Sequence, residues 1–95
     1  MQTERQRSCK VYVSVKVDFD ANGRMFPRSL LWEDGHEYEI DRVLDVRPAY
    51  AERAGGQGDR YKIVVDNREK YLYFEHSAAF GEPVTGRWFV ERREG

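Results

Sequence analysis

The residues best suited to chemistry in this 95-residue chain are two tyrosines with cations near them. Tyr71 and Tyr73 are two positions apart, so in a strand both rings would project from one face about 7 Å apart. The nearby cations are Arg60, Lys62, Arg68 and Lys70. Aromatic rings interleaved with cations suit stacking on unpaired bases while neutralising phosphates. The alternative is that the tyrosines cover the rim of the core or pack on the chain's own tail or another subunit.

A glycine-rich segment between two predicted strands is the second candidate site. Gly55, Gly56 and Gly58 tolerate positive φ, and successive amides there could hold a phosphate with help from Arg60. The segment lacks the Gly-Lys-Ser/Thr ending of a P-loop and the G-x-G-x-x-G of dinucleotide-binding folds. A flexible hairpin loop is the simpler interpretation. The predicted ligand-binding residues are Gly55, Gly56, Gly58, Arg60, Lys62, Tyr71 and Tyr73.

Catalytic and metal-binding patterns are missing from the sequence. Cys9 is the sole cysteine, which excludes an internal disulfide, and no His or Asn partner lies near it in the sequence. His36 and His76 fall at the ends of predicted strands without a second ligand at metal-binding spacing. We therefore predict a protein that is not an enzyme and that uses no metal and no cofactor.

Composition sets the class of molecule. The formal net charge is -1, from 16 basic and 17 acidic residues, so no overall field draws the chain to nucleic acid or anionic membrane. No stretch reaches the roughly 18 apolar residues of a membrane span, and residues 1–8 contain no apolar run. We expect a cytoplasmic protein without membrane association, with a mobile polar tail at 1–8 and a single β domain at 9–93.

Alternating residues predict most of the strands. The clearest strand has an apolar residue at every odd position from Val11 to Phe19, so its odd face should be core. Asn22-Gly23 predicts a tight turn after it, and Glu33-Asp-Gly35 predicts a second turn. Pro27 lies in the intervening strand, which should therefore be an edge strand or carry a bulge.

A long strand is predicted from His36 to Arg47, with Pro48 ending it. Val43 breaks its alternation, which predicts a bulge or a bend. The strand Tyr61–Asp66 could pair with it as a hairpin. A short polar connection at 67–70 should precede the next strand, and one helical turn could lie within 77–86.

These patterns favour an all-β fold, either a small barrel or a strongly bent antiparallel sheet of about six strands. An SH3-like barrel is the first choice and an OB-like barrel the second. Trp88 and Phe89 put an aromatic ring on each face of the last strand, so one of them needs cover from a loop, the tail or a partner chain. A homodimer through an edge strand would supply that cover.

Nearly the whole chain resembles a group of small bacterial proteins of unknown function, mostly clostridial. The segments that carry the resemblance are Phe26-Pro27, Trp32-x-Asp34-Gly35, Tyr38-x-Ile40-Asp-Arg-Val-Leu-Asp-Val-Arg-Pro48, Ala54-Gly-Gly-Gln-Gly58, Arg60-Tyr61 and Trp88-Phe-Val-Glu91. The resemblance implies a stand-alone bacterial cytoplasmic domain, and it implies no particular ligand or catalytic residue.

The sequence thus predicts a non-catalytic binding module whose partner is either single-stranded nucleic acid or a protein. A nucleic-acid ligand would make affinity fall steeply with salt, whereas a protein interface would not. The alternative function is a protein-interaction or homo-oligomeric adaptor with no small ligand.

Overall fold

A computed structural model describes residues 7–50, 57–76 and 85–94, and every strand in these residues belongs to one antiparallel sheet. The strands are β1 (Arg7–Phe19), β2 (Met25–Leu31), β3 (Glu37–Glu39), β4 (Arg42–Tyr50), β5 (Gln57–Val65), β6 (Arg68–His76) and β7 (Gly86–Glu94). Their order in the sheet is β3-β2-β1-β7-β6-β5-β4. The described residues contain no helix. The all-β prediction is confirmed.

The two edge strands, β3 and β4, are consecutive in the chain and are separated only by Ile40 and Asp41. The Ile40 amide donates to the carbonyl of Arg28 on β2, and the Asp41 amide donates to the carbonyl of Val64 on β5, both at 2.8 Å. Successive amides therefore bond to strands from opposite halves of the sheet order. Both bonds can form only if the sheet curls, which produces the predicted small barrel-like shape.

The predicted long strand is thus divided in two, and this gives seven strands in the described residues where about six were expected. A register shift between Val43 and Asp45 leaves Leu44 as an extra residue, so the bulge lies next to the position that the broken alternation indicated. The prediction that Pro48 ends the strand is wrong. β4 continues to Tyr50, because an edge strand tolerates a residue that has no N–H to donate.

The predicted turns at Asn22-Gly23 and Asp34-Gly35 are confirmed, and each has its glycine at positive φ (83° and 91°). The polar connection predicted at 67–70 is wrong. Asp66 (φ 52°) and Asn67 (φ 62°) form a two-residue turn, and β6 begins at the next residue. Asp and Asn tolerate the left-handed conformation, and two successive residues of that kind suit a tight hairpin.

The bulge predicted for the strand that contains Pro27 is confirmed, and it lies next to Pro27. The pairing of β1 with β2 passes from Lys16–Ser29 to Val17–Pro27, which leaves Arg28 as the extra residue. β2 is nevertheless an internal strand, between β1 and β3. At the amino terminus, β1 includes the last two residues of the predicted polar tail. Most of the segment predicted to hold a helical turn, residues 77–84, lies outside the described residues.

The core fills the concave side of the curled sheet. Its buried residues are Leu30, Ile40, Tyr61, Ile63, Val65, Leu72, Phe74 and Trp88. The odd face of β1 packs against them through Val13, Val15 and Val17, as predicted, but Phe19 at the end of that face is exposed. Leu44 and Val46 are exposed as well, since no strand of the described ranges pairs with the outer side of β4.

The first prediction concerns the corner between the edge strands. Ile40→Ala should lower the free energy of unfolding by about 2–5 kcal/mol, because it removes a buried side chain at the point where the sheet curls. Leu31→Ala, at an exposed position, is the matched control and should cost less than about 1 kcal/mol. Urea denaturation measures both variants, and equal losses would contradict the role given to the corner.

Candidate binding pocket between strands β6 and β7

Strands β6 and β7 pair along only part of their length. Their ladder stops at the pair Tyr73–Phe89. Beyond it, residues 68–72 pair with β5 alone and residues 90–94 pair with β1 alone. The two strands therefore separate toward the end of the barrel that carries the Asp66-Asn67 turn.

A pocket of about 870 Å³ occupies this gap and the adjoining interior. Its floor is apolar and comprises Leu30, Ile63, Val65 and Val90. Trp32 and Tyr38 from the opposite side of the barrel contribute aromatic walls. Its rim is formed by Asp66, Arg68, Lys70, Tyr71, Tyr73 and Glu91. The volume lies in the range of small-ligand sites, which usually combine apolar walls with a few polar groups.

The rim carries two cations that no acid among the described residues neutralises. Within the described residues, the exposed side chains of Arg68 and Lys70 make no ion pair and no hydrogen bond. Two acids share the rim. Glu91 accepts a hydrogen bond from the Tyr73 hydroxyl at 3.2 Å, and Asp66 lies beside the cations. Arg68 and Lys70 are therefore available to an anionic group on a ligand.

Four of the predicted ligand-binding residues lie together beside this rim. Arg60 pairs with Tyr73 and Lys62 with Tyr71, and directly paired residues share a face of the sheet. The Arg60 guanidinium lies 4.6 Å from the centre of the Tyr71 ring, and this ring remains 44% exposed. The Lys62 ammonium forms a salt bridge with the Glu69 carboxylate at 3.3 Å. The interleaving of cations and tyrosines that the sequence indicated is present.

The two tyrosines differ in their surroundings. Tyr73 stacks on Phe89 with ring centres 4.9 Å apart and an interplanar angle of 6°. Burial, with a contribution from nearby Glu91, raises the pKa of Tyr73. Tyr73 therefore packs on Phe89 on the outer face of the sheet, whereas Tyr71 presents its ring to solvent.

Phe89 is one of the two rings for which the sequence suggested cover, and side chains of the described strands surround it. It is only 4% exposed, because Tyr73 lies on one side and the Tyr12 ring meets it edge-on at 5.8 Å. The Lys10 ammonium lies 4.8 Å from its ring centre. The sheet therefore covers this aromatic ring with its own side chains, and Trp88 faces the core on the other side.

Gly58, one of the three glycines of the predicted phosphate loop, lies away from this arrangement. Gly58 lies within β5 opposite Glu75, and a Cβ added there would overlap the carbonyl oxygen of Phe74. Close approach of two backbones is thus the local reason for glycine at this position. Gly58 is about 13 Å along the strand from Lys62, given the strand rise per residue. Gly55 and Gly56 lie outside the described residues.

A polar cluster joins β1, β6 and β7 on the outer face, where β6 and β7 are still paired. Glu75 accepts hydrogen bonds from the Tyr12 hydroxyl at 2.7 Å and from the Lys10 ammonium at 3.0 Å. The Arg87 guanidinium lies 3.9 Å from the centre of the Tyr12 ring. The hydrogen bond from Tyr12, followed by that from Lys10, holds the pKa of Glu75 below its usual range.

The histidines occupy separate positions. His76 lies 3.2 Å from a carboxylate oxygen of Asp59, and the His36 ring stacks on Tyr38. In the described ranges, no three residues of the His, Cys, Asp and Glu types come together in a way that could hold a metal ion. No helix in these ranges has the length and apolarity to cross a membrane.

Sequence reasoning missed the pocket walls. Trp32 and Tyr38 flank one turn, Val90 and Glu91 are adjacent in β7, and the convergence of these two distant parts of the chain depends on where the ladder between β6 and β7 stops. The sequence places Arg68 and Lys70 near the tyrosines, but no local pattern shows that they lack a partner within the described ranges. The one usable signal was period-two alternation, which placed Tyr71 on the face opposite Leu72.

The position of Gly58 leads to a prediction about stability. Gly58→Ala should lower the free energy of unfolding by about 1–3 kcal/mol, since the new methyl group meets a backbone carbonyl that cannot move independently of the sheet. Ser14→Ala, at an exposed position of β1, is the control. Chemical denaturation measures the effect. An unchanged stability of Gly58→Ala would contradict the packing role and favour a role in ligand binding.

The polar cluster leads to a prediction about pH. A carboxyl group whose pKa is lowered by folding stabilises the protein above its unfolded pKa, and this stabilisation is lost as pH falls through the lower folded value. Wild-type stability should therefore decrease between about pH 5 and pH 3, and Glu75→Gln should show a smaller decrease over that range. Urea denaturation at several pH values measures this.

Glu39→Gln serves as the control for the pH series, because the Glu39 side chain bonds to nothing among the described residues. It should keep the wild-type pH dependence. If Glu75→Gln kept that dependence as well, Glu75 would not be the group responsible.

Comparison with known proteins adds no relative to this description. No protein-family model, no curated protein and no solved structure matches the chain.

Proposed function

We propose that the chain is a non-catalytic binding module that takes single-stranded nucleic acid at the pocket between β6 and β7. The observation that carries this proposal is the composition of the rim. An exposed Tyr71 ring, with Arg60 on one face, lies beside an apolar pocket edged by Arg68 and Lys70, which have no partner in the described part of the chain. Proteins recognise single strands with two elements, which are aromatic side chains on which the bases stack and cations that contact the phosphate backbone.

The pocket suits an unpaired base in shape and polarity. A base has a flat aromatic face that can stack on Tyr71 or contact the walls formed by Trp32 and Tyr38. Stacking of one base on an aromatic side chain contributes about 1–3 kcal/mol and depends little on the sequence of the nucleic acid. A double-stranded ligand could not present a base in this way without unpairing it.

The cations would contact the phosphates. Arg68 and Lys70 are exposed at the mouth, and Arg60 lies on the adjoining outer face. The overall charge of -1 means that attraction must be local, and Asp66 and Glu91 on the same rim reduce it. Binding should therefore be moderate in affinity and sensitive to salt.

Small barrels of the OB type often bind oligonucleotides on such a face, which is consistent with this function. A relationship to SH3-like or OB-like barrels remains a prediction from the sequence. A protein ligand in the same pocket is the alternative, and salt dependence separates the two.

The test is a titration of the full chain with a labelled mixed-sequence single-stranded oligonucleotide, followed by fluorescence anisotropy at low and physiological salt. We expect saturable binding that weakens as salt increases, together with a change in Trp32 fluorescence that Trp32→Phe abolishes. Absence of binding at low salt would refute the proposal. Binding insensitive to salt would also contradict it.

Variants at the rim make the test specific. Tyr71→Ala should weaken binding by about tenfold or more, whereas Tyr71→Phe should bind like wild type because it retains the stacking ring. The double variant Arg68→Gln/Lys70→Gln should reduce the slope of log affinity against log salt by about 1.4.

Arg24→Gln is the matched control for the rim cations. Arg24 is exposed in the turn between β1 and β2, at the other end of the barrel, and its removal should leave the slope unchanged. Equal slopes for the double variant and wild type would show that Arg68 and Lys70 do not contact the phosphates.

A further inference from the structure

The second surface of interest is the open edge of the sheet at β4. β4 bonds to β5 on one side, and it ends the strand order on the other. The other edge strand, β3, has only 3 residues, whereas β4 has 9. Within the described residues, β4 is therefore the long edge that offers backbone groups to another strand.

The exposed side chains on this edge include two that are apolar. Leu44 is 41% exposed and Val46 is 46% exposed. Asp45 and Arg47 flank Val46, and the Arg47 guanidinium bonds to the Asp45 carboxylate at 2.7 Å. The side chains of this charged pair are also largely exposed, at 41% and 68%.

From this pattern we infer that β4 pairs with β4 of a second copy of this chain, antiparallel and centred on Val46. A twofold interface requires a surface that complements itself. Centring on Val46 places Asp45 opposite Arg47 of the partner subunit, and the partner's Asp45 opposite Arg47. Each carboxylate then faces a guanidinium across the interface, and no like charges oppose each other at these positions.

The apolar residues fit the same register. Val46 lies opposite Val46 of the partner subunit, and Leu44 lies opposite the partner's Pro48. Cross-strand pairs of opposite charge and of apolar side chains both stabilise antiparallel strands. The exposed apolar groups of this edge would thus be covered by their own counterparts.

The irregular features of β4 limit the extent of pairing without preventing it. The bulge at Leu44 and the missing N–H of Pro48 interrupt a regular ladder on either side of the centre. Such features protect edge strands from indefinite association. A short segment that pairs with itself about a twofold axis closes on itself, so it gives a dimer and not a fibre.

The test uses charge reversal in the full-length chain. Wild type should show a reversible monomer–dimer equilibrium by analytical ultracentrifugation over a concentration series. Asp45→Arg places two guanidinium groups opposite each other, and Arg47→Asp does the same with two carboxylates, so each single variant should dimerise at least about tenfold more weakly.

Mixing the two variants is the decisive step. A chain with Arg at both positions complements a chain with Asp at both positions, so an equimolar mixture should regain the wild-type dimer fraction. Arg24→Asp, which changes the charge at an exposed turn, is the control and should dimerise normally. A wild type that stays monomeric at every concentration, or a mixture that does not recover, would overturn the inference.

Discussion

The structure depends on two consecutive hydrogen bonds at the corner between β3 and β4. The Ile40 amide bonds to β2 and the Asp41 amide bonds to β5, so two successive peptide units connect the two halves of the sheet. Burial of Ile40 against the core favours the same geometry, because its side chain points into the space that curling creates. The corner therefore joins the two ends of the strand order.

Curling also determines where the sheet stays open. β7 must pair with β1 on one side and β6 on the other, yet it meets both strands only near Trp88 and Phe89. There the outer face is held by stacked rings and by the Glu75 carboxylate, which accepts bonds from two residues of β1. Beyond these two residues, β7 pairs only with β1, and β6 pairs only with β5. The pocket is the space left by this division.

Features that depend on local sequence were predictable, and those that depend on pairing were not. The alternating valines of β1, the Asn22-Gly23 turn and the bulge at Pro27 all follow from backbone preferences of the residues themselves. The exposure of Val46 does not follow from such preferences, because an apolar residue on an alternating strand is buried only if a neighbouring strand covers it. Gly58 was interpreted as part of a loop because glycine signals flexibility as readily as close packing.

The same limit applies to the candidate site. The face shared by Tyr71 and Arg60 could be expected from alternation, but the different surroundings of Tyr71 and Tyr73 could not. Tyr73 is covered because Phe89 happens to be its cross-strand neighbour, and that register is fixed by the whole barrel. The point at which the ladder between β6 and β7 ends, which no local pattern encodes, decides which of the two tyrosine rings stays exposed.

The two proposed surfaces lie on one continuous part of the sheet. Arg47 pairs with Arg60, which pairs with Tyr73, so the outer face of β4 leads directly to that of β6. In a dimer joined through β4, the two β6 strands would be five strand spacings apart, or about 24 Å along the sheet. A single strand of nucleic acid long enough to cover that distance would engage both Tyr71 rings. The second contact would then be intramolecular, and affinity would increase with oligonucleotide length well beyond what one pocket provides.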